Sequence, residues 1–297
     1  MDNHCYVNRC LENTSDLAFM GFTHALSAIA VLLAIFAFFP DLIPGGVSSI
    51  GLIVSILFVV NASGAALSND LDNTSSTSKS SLGILGEILS VVFRATSTVI
   101  QTTIRTKRDD SSPNPHRGFY HTIPAAALIG FLIYLGTRIP GSISLPILGT
   151  MSYGFLFALL ITWLNIHMML AAVAKKIVNK IKKSAGFFGD FAAFVFSLTI
   201  AIYLFTLVPK TSLTDFTWLG LAVFVGMVIH ILGDSFTTAG VPLFFPIPIK
   251  GKLWWNVRVL PIKAGGAVEN YIFIPVLIVL CVASAIAMSM KFAGIHV

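Results

Sequence analysis

Charge is what this chain has least of. Only 11% of its 297 residues are Asp, Glu, Lys or Arg, against 56% that are apolar. A soluble domain carries about a quarter charged residues, and 19 Lys+Arg with 13 Asp+Glu cannot cover a soluble core of this size. Cysteine is scarce too. Cys5, Cys10 and Cys281 make an odd count with one inside an apolar run, which excludes a disulfide framework. No Glu directly follows a His, so the HExxH signature of many metalloproteases is missing. No repeat period and no separate soluble domain is visible. The first sixteen residues hold one Arg against three acids, and the apolar run after them exceeds a signal-peptide core, so this segment is expected to stay in the chain.

Long apolar runs are what the chain has instead. A spanning helix needs about 20 predominantly apolar residues, and seven segments qualify: 17–39, 47–68, 121–138, 143–174, 186–208, 214–233 and 270–290. None alternates polar and apolar residues as a barrel strand does. The expected fold class is therefore all-α, a polytopic membrane helix bundle of about seven transmembrane helices. Sixteen of the 19 Lys and Arg fall on one side of this arrangement, and Arg138, Lys210 and Lys291 on the other. The positive-inside rule then sets N-in and C-out.

The expected organisation is a cytoplasmic tail at 1–16, a single transmembrane domain at 17–290, and a C-terminal tail at 291–297. Within the domain lie a cytoplasmic insert at 69–120 and a cytoplasmic loop at 234–269. In the insert, residues 81–106 read as an interfacial helix, because spanning there would move Arg105, Lys107, Arg108 and Arg117 outside and invert every later loop. In the loop, Trp254 and Trp255 are expected at headgroup level, with Lys250, Lys252 and Arg258 facing anionic phosphates.

The few remaining ionisable residues gather on the cytoplasmic side. His24 lies in span 1, Asp70 and Asp72 follow span 2, and His116 and His121 precede span 3. His230 and Asp234 stand four apart at the end of span 6, on one helical face, and Glu269 opens span 7. Ionisable groups at membrane depth cost roughly 2.5–3.5 kcal/mol each and normally face a protein cavity. An isolated DxD more often ends a helix, and HxxxxH alone is weak; the His–Asp pair in HILGD is stronger, since both side chains need a polar destination. Imidazoles mixed with carboxylates suit zinc, manganese or iron better than calcium. Asn165 and His167, two apart in span 4, are explained as well by interhelical hydrogen bonds; His167 is a reserve ligand. His4, Cys5 and Cys10 match no zinc spacing.

In order along the chain stand GFTH (21–24), NDLDN (69–73), HRGFYHT (116–122), HILGDSFTTAGVPLFFP (230–246) and GGAVE ending at Glu269. This set resembles the YdjM-like, LexA-binding inner-membrane family, a class of metal-dependent hydrolases. The resemblance runs from about residue 20 to 270. The family's second element usually reads PDxDH, and here Asn69 and Asn73 occupy its proline and histidine positions. The resemblance implies a membrane-embedded hydrolase using one or two divalent metal ions, zinc foremost.

On that reading His24, Asp70, His116, His121, His230 and Asp234 hold the metal, Asp72 or Glu269 accepts a proton, and Arg117 steadies charge on phosphate oxygens. Membrane lipids surround the site, and a lipid or lipid-linked phosphoester is the expected substrate. The alternatives are a metal-binding scaffold or regulator that engages a cytoplasmic protein through the 69–120 insert, and an ion transporter. The clustered bases follow from the positive-inside rule and call for no nucleic acid.

Overall fold

The computed structural model describes residues 4–39, 46–74, 76–110, 116–146, 149–173, 187–208, 216–260 and 262–292. The lysine cluster expected at 175–183 lies outside them. Helices dominate: α1 (His4–Phe38), α2 (Gly46–Ser68), α3 (Thr77–Ser81), α4 (Ile84–Thr103), α5 (Ile123–Thr137), α6 (Tyr153–Val173), α7 (Phe187–Thr206), α8 (Thr217–Ser235) and α9 (Ile274–Phe292). A π-helical turn, Glu269–Phe273, leads into α9. One exposed antiparallel hairpin, β1 (Ser142–Leu145) with β2 (Gly149–Ser152), joins α5 to α6.

Among the described residues, seven helices are long and apolar enough to cross a membrane: the windows are Gly21–Phe38, Gly51–Asp72, Ile84–Thr103, Tyr153–Val173, Phe188–Thr206, Thr217–Ser235 and Glu269–Lys291. The number equals the expectation, but the membership differs in one place. The segment expected to span at 121–138 is the 15-residue α5, about 22 Å long at 1.5 Å per residue and shorter than a hydrocarbon core of about 30 Å. It stops early because Arg138 closes the last turn on the Gly136 and Leu135 carbonyls and Pro140 follows two residues later. The 84–103 stretch, expected to be interfacial, forms a 20-residue helix of sufficient apolarity.

The bundle is built around α2 and α8. α8 packs on α2 and α5, α2 also on α1 and α6, α1 on α9, and α6 on α7. Lipid supplies no hydrophobic force between helices, so close approach at small residues and buried polar contacts must hold them together. A Cβ on Gly226 would lie 2.1 Å from the Ala62 carbonyl oxygen, and one on Gly64 would lie 2.4 Å from the Asn165 backbone. Asn61 Nδ2 donates to Thr162 Oγ1 at 3.1 Å, and Asn165 Nδ2 donates to Asn61 Oδ1 at 3.0 Å, pinning α2 to α6. These contacts bring the apolar start of α1, the end of α2, the start of α5, the end of α8 and the entry to α9 to one end of the molecule.

α4 is packed differently from the other long helices. Its partners are α3 and the turns at 69–72 and 119–121, all at that same end. Its buried stripe is Gly86, Ser90, Ser97 and Gln101, while Ile84, Ile88, Val91 and Val99 are exposed. Phe93 stacks on Tyr120 with centroids 4.1 Å apart, and Ser97 Oγ accepts the Phe119 N–H at 3.1 Å.

Beyond α4 the insert clasps the later loop. Asp109 accepts from Thr106 N at 2.7 Å, Thr106 Oγ1 at 3.0 Å, Leu253 N at 3.3 Å and Trp254 N at 3.0 Å. Trp254 stacks on Phe245, and its indole N–H donates to the Ile104 carbonyl at 2.8 Å. Lys250 lies over the Trp255 ring. The two tryptophans thus serve contacts within the protein.

Two outcomes follow from this packing. Gly226→Ala forces a methyl into the Ala62 carbonyl, and overpacking of this kind costs about 1–3 kcal/mol; the melting temperature in detergent should fall, and an unchanged one would contradict the close α2–α8 approach. Burial raises the Asp109 pKa, but the converging N–H donors outweigh it and hold the carboxyl below 3.8. A depressed carboxyl contributes above its unfolded value and loses its effect as pH falls through the folded one. Proteolysis near 104–110 should therefore stay slow down to about pH 4 and accelerate below it, whereas Asp109→Ala should be cut quickly at neutral pH.

Candidate metal centre

Each donor is placed by a local feature. Near the end of α8, residues 230 and 234 are one turn apart, so His230 and Asp234 project together, both at most 1% exposed. Thr237 closes the helix, its N–H and hydroxyl both donating to the Asp234 carbonyl. His24 comes from α1, where Gly233 makes room: a Cβ there would lie 3.0 Å from His24 Nδ1. After Ser68 the chain tightens into a 3-10 turn, Asn69–Asp72, tied to α8 by Asn69 Nδ2 donating to the Met227 carbonyl at 3.3 Å. Arg117 adopts φ 60, a left-handed conformation uncommon for a side-chain-bearing residue. The 3-10 turn Phe119–His121 follows, and Thr122 caps α5 by accepting the Ala125 N–H.

The donors converge closely. His121 Nε2 lies 3.3 Å from His230 Nε2, 3.5 Å from Asp234 Oδ2 and 3.9 Å from Asp70 Oδ1. His230 Nε2 lies 3.5 Å from Asp234 Oδ2 and 3.8 Å from Asp70 Oδ1. Ligand atoms about 2.1 Å from a tetrahedral centre stand about 3.4 Å apart, so this spacing fits a metal cage. His24 Nε2 reaches Asp234 Oδ1 at 3.3 Å. Taken by residue, His24, His230 and Asp234 form one group, and Asp70, His116 and His121 another, each with ligand atoms within 4.8 Å of one another. Both Asp234 oxygens are buried without an aligned hydrogen bond, although three imidazoles and the Arg117 guanidinium lie at ion-pair distance. Burying a carboxylate that way is costly unless a cation completes it, and the residues present therefore fit a divalent ion.

Asp72 sits behind the cluster. Its Oδ1 meets His116 Nδ1 at 2.9 Å, and its Oδ2 lies 3.7 Å from His121 Nδ1. A carboxylate hydrogen-bonded to Nδ1, as at His116, fixes an imidazole so that Nε2 is the donor for an ion. Burial lowers the His116 pKa, but the Asp72 hydrogen bond and the charges of Asp70 and Asp72 outweigh it and raise it above 6.5. At His121 burial dominates and the pKa falls. Arg117 Nη2 stands 3.4 Å from Asp234 Oδ1, while Nη1 donates to Thr237 Oγ1 at 2.6 Å. Glu269 is buried nearby, Oε1 accepting from the Thr23 hydroxyl and Oε2 from the Gly265 N–H at 2.6 Å.

The reserve ligand is elsewhere. His167 meets Ser197 Oγ at 3.1 Å and the Ser81 carbonyl at 2.9 Å, which binds α3 to α6 and α7. Asn165 belongs to the α2–α6 contact. Thr23, Gly233 and Thr237 were not among the expected site residues; Gly233 and Thr237 flank Asp234 in the quoted motif, and their proximity was the available signal.

A family model described as YdjM inner membrane protein matches residues 19–176 and 190–293. The chain belongs to this family. No curated protein and no solved structure matches it. With its apolar helices, YdjM-family membership makes this an integral inner-membrane protein. Asn73 lines a small polar recess with Asp70, Ser76, His116 and Arg117, so the position where the family pattern has histidine stands beside the donor cluster.

Zinc binding measured by equilibrium dialysis should be abolished in Asp234→Asn with membrane insertion intact. Asp72→Asn should weaken it about 10–100-fold; equal affinity in that variant would remove Asp72 from behind the imidazoles. Because His116 keeps its proton above pH 6.5 and a ligand must be neutral, affinity should begin to fall at a higher pH than for an ordinary imidazole. In His116→Ala that part of the pH dependence should vanish.

Proposed function

We propose that this YdjM-family protein is a metal-dependent hydrolase whose centre lies at the cytoplasmic face of the inner membrane and cleaves a lipid or lipid-linked phosphoester. The observation that carries the reading is Asp234: a fully buried carboxylate, lacking an aligned hydrogen bond, with three imidazoles and a guanidinium at ion-pair distance. Such a constellation at membrane depth is costly and uncommon outside functional sites.

His24, Asp70, His116, His121, His230 and Asp234 would hold one or two divalent ions. Their mixture of nitrogen and oxygen donors suits zinc, and accommodates manganese or iron. Such an ion would supply a water ionised near neutral pH and polarise the target oxygen. Asp72 would orient His116, to which it is hydrogen-bonded. Arg117, anchored by Thr237, presents its planar donors where phosphate oxygens can pair with them. Of the two carboxylates considered as proton acceptor, Asp72 is hydrogen-bonded to His116 and Glu269 lines a cavity with His24; one of the two would take the proton.

The test joins elemental analysis of gently purified protein to a hydrolysis screen of phospholipids and lipid pyrophosphates. Expected are stoichiometric transition metal and phosphoester turnover. Arg117→Lys should keep the metal and lose on the order of 10²-fold in turnover. Fully loaded protein that cleaves no phosphoester would refute hydrolysis and leave a metal-binding scaffold.

A further inference from the structure

The donor cluster has two unlike flanks. On one side is the recess of Asp70, Asn73, Ser76 and Arg117, small and polar. On the other is a cavity of about 80 Å3 whose walls are mainly carbon, formed by Ser27, Phe236, Ile262, Ala264 and Phe273. His24 and Gly233 also line this cavity, so it is continuous with the donors. Ser27 lies on the Gly21–Phe38 window and Phe273 on the Glu269–Lys291 window, which places the cavity at the level of the spans. Phe273, at the entry to α9, is 36% exposed, so one wall residue of the cavity also faces outward.

We infer that this cavity is the subsite for the apolar arm of the substrate, and that the substrate is an amphiphile lying across the centre with its phosphate toward Arg117 and a hydrocarbon chain between α1 and α9. The inference rests on the hydrolase reading and narrows its substrate to a lipid entering sideways from the membrane. Several features carry it. The cavity is well below the roughly 300–1,000 Å3 of a whole small-molecule site, so it holds part of a ligand. Of its polar lining residues, Glu269 is already held by Thr23 and Gly265. His24 Nδ1 is buried without a hydrogen-bond partner, and Gly233 lets α8 approach that side of the ring closely. A soluble polar metabolite would leave the carbon walls wet. A lipid chain covers them.

The test uses full-length protein in phosphatidylethanolamine and phosphatidylglycerol vesicles doped with phosphatidylglycerol carrying a diazirine on its acyl chain. Labelled residues are identified after photolysis. Tyr271, 81% exposed, and Phe191 on α7 report contact with bulk lipid. Expected in the wild type is labelling at Phe236 and Ile262 as well. Ala264→Phe and Ser27→Phe fill the cavity from different elements. In either variant that inserts, labelling at Phe236 and Ile262 should fall to background, because the introduced ring occupies the space the chain would fill. Labelling at Tyr271 and Phe191 and the bound metal should be unchanged. Undiminished labelling at Phe236 and Ile262 in a metal-loaded, inserted variant overturns the subsite, as does a wild type labelled only at Tyr271 and Phe191. A wild type that lacks metal or phosphoesterase activity, yet loses the inner labels when plugged, refutes the hydrolase and leaves the lipid cavity standing.

Discussion

A carboxylate that lipid and protein together keep from water governs the site-bearing end of this molecule. Asp234 is 1% exposed and sits on a helix long and apolar enough to cross a membrane. Its charge is tolerable only if cationic or metal partners are brought to it from other parts of the chain. They come from α1 (His24), from the turn before α5 (Arg117, His121) and from one turn earlier on α8 itself (His230). Meeting this one requirement draws the ends of several helices to a single level, and the loops between them follow.

The close packing of α2 and α8 is the mechanical counterpart. Glycine at 226 and 64 lets backbones approach where any side chain would collide, and the Asn61–Asn165 hydrogen bond replaces what hydrophobic burial supplies in water. Asn69 then ties the end of α2 to the Met227 carbonyl, so the scaffold contact and the placement of Asp70 are one feature. Asp72 serves a different purpose from its neighbour two residues away, because the 3-10 turn sends the two carboxylates to opposite sides of the imidazoles.

Most of the fold was legible in advance, since a spanning helix is announced by length and composition alone. The exceptions were α4 and α5. Helix α5 is short because Arg138 and Pro140 end it. For α4, apolarity and length say one thing and its partners another: it packs on turns at one end of the bundle rather than alongside a span, and its inward stripe is small and polar. Hydropathy averages over both faces of a helix and so cannot register which one meets protein.

For the site, sequence by itself determined which residues had to be gathered, because ionisable groups in an apolar chain are few and must find one another or a cation. It also determined that His230 and Asp234 share a face, since helical period is local. Only the tertiary structure decided their neighbours. Asp72 hydrogen-bonds His116, Glu269 lines a carbon-walled cavity, and His167 is taken up by Ser197 and Ser81. Those roles depend on which side of a ring or carboxylate meets which neighbour, and that is settled by contacts between elements far apart in the chain.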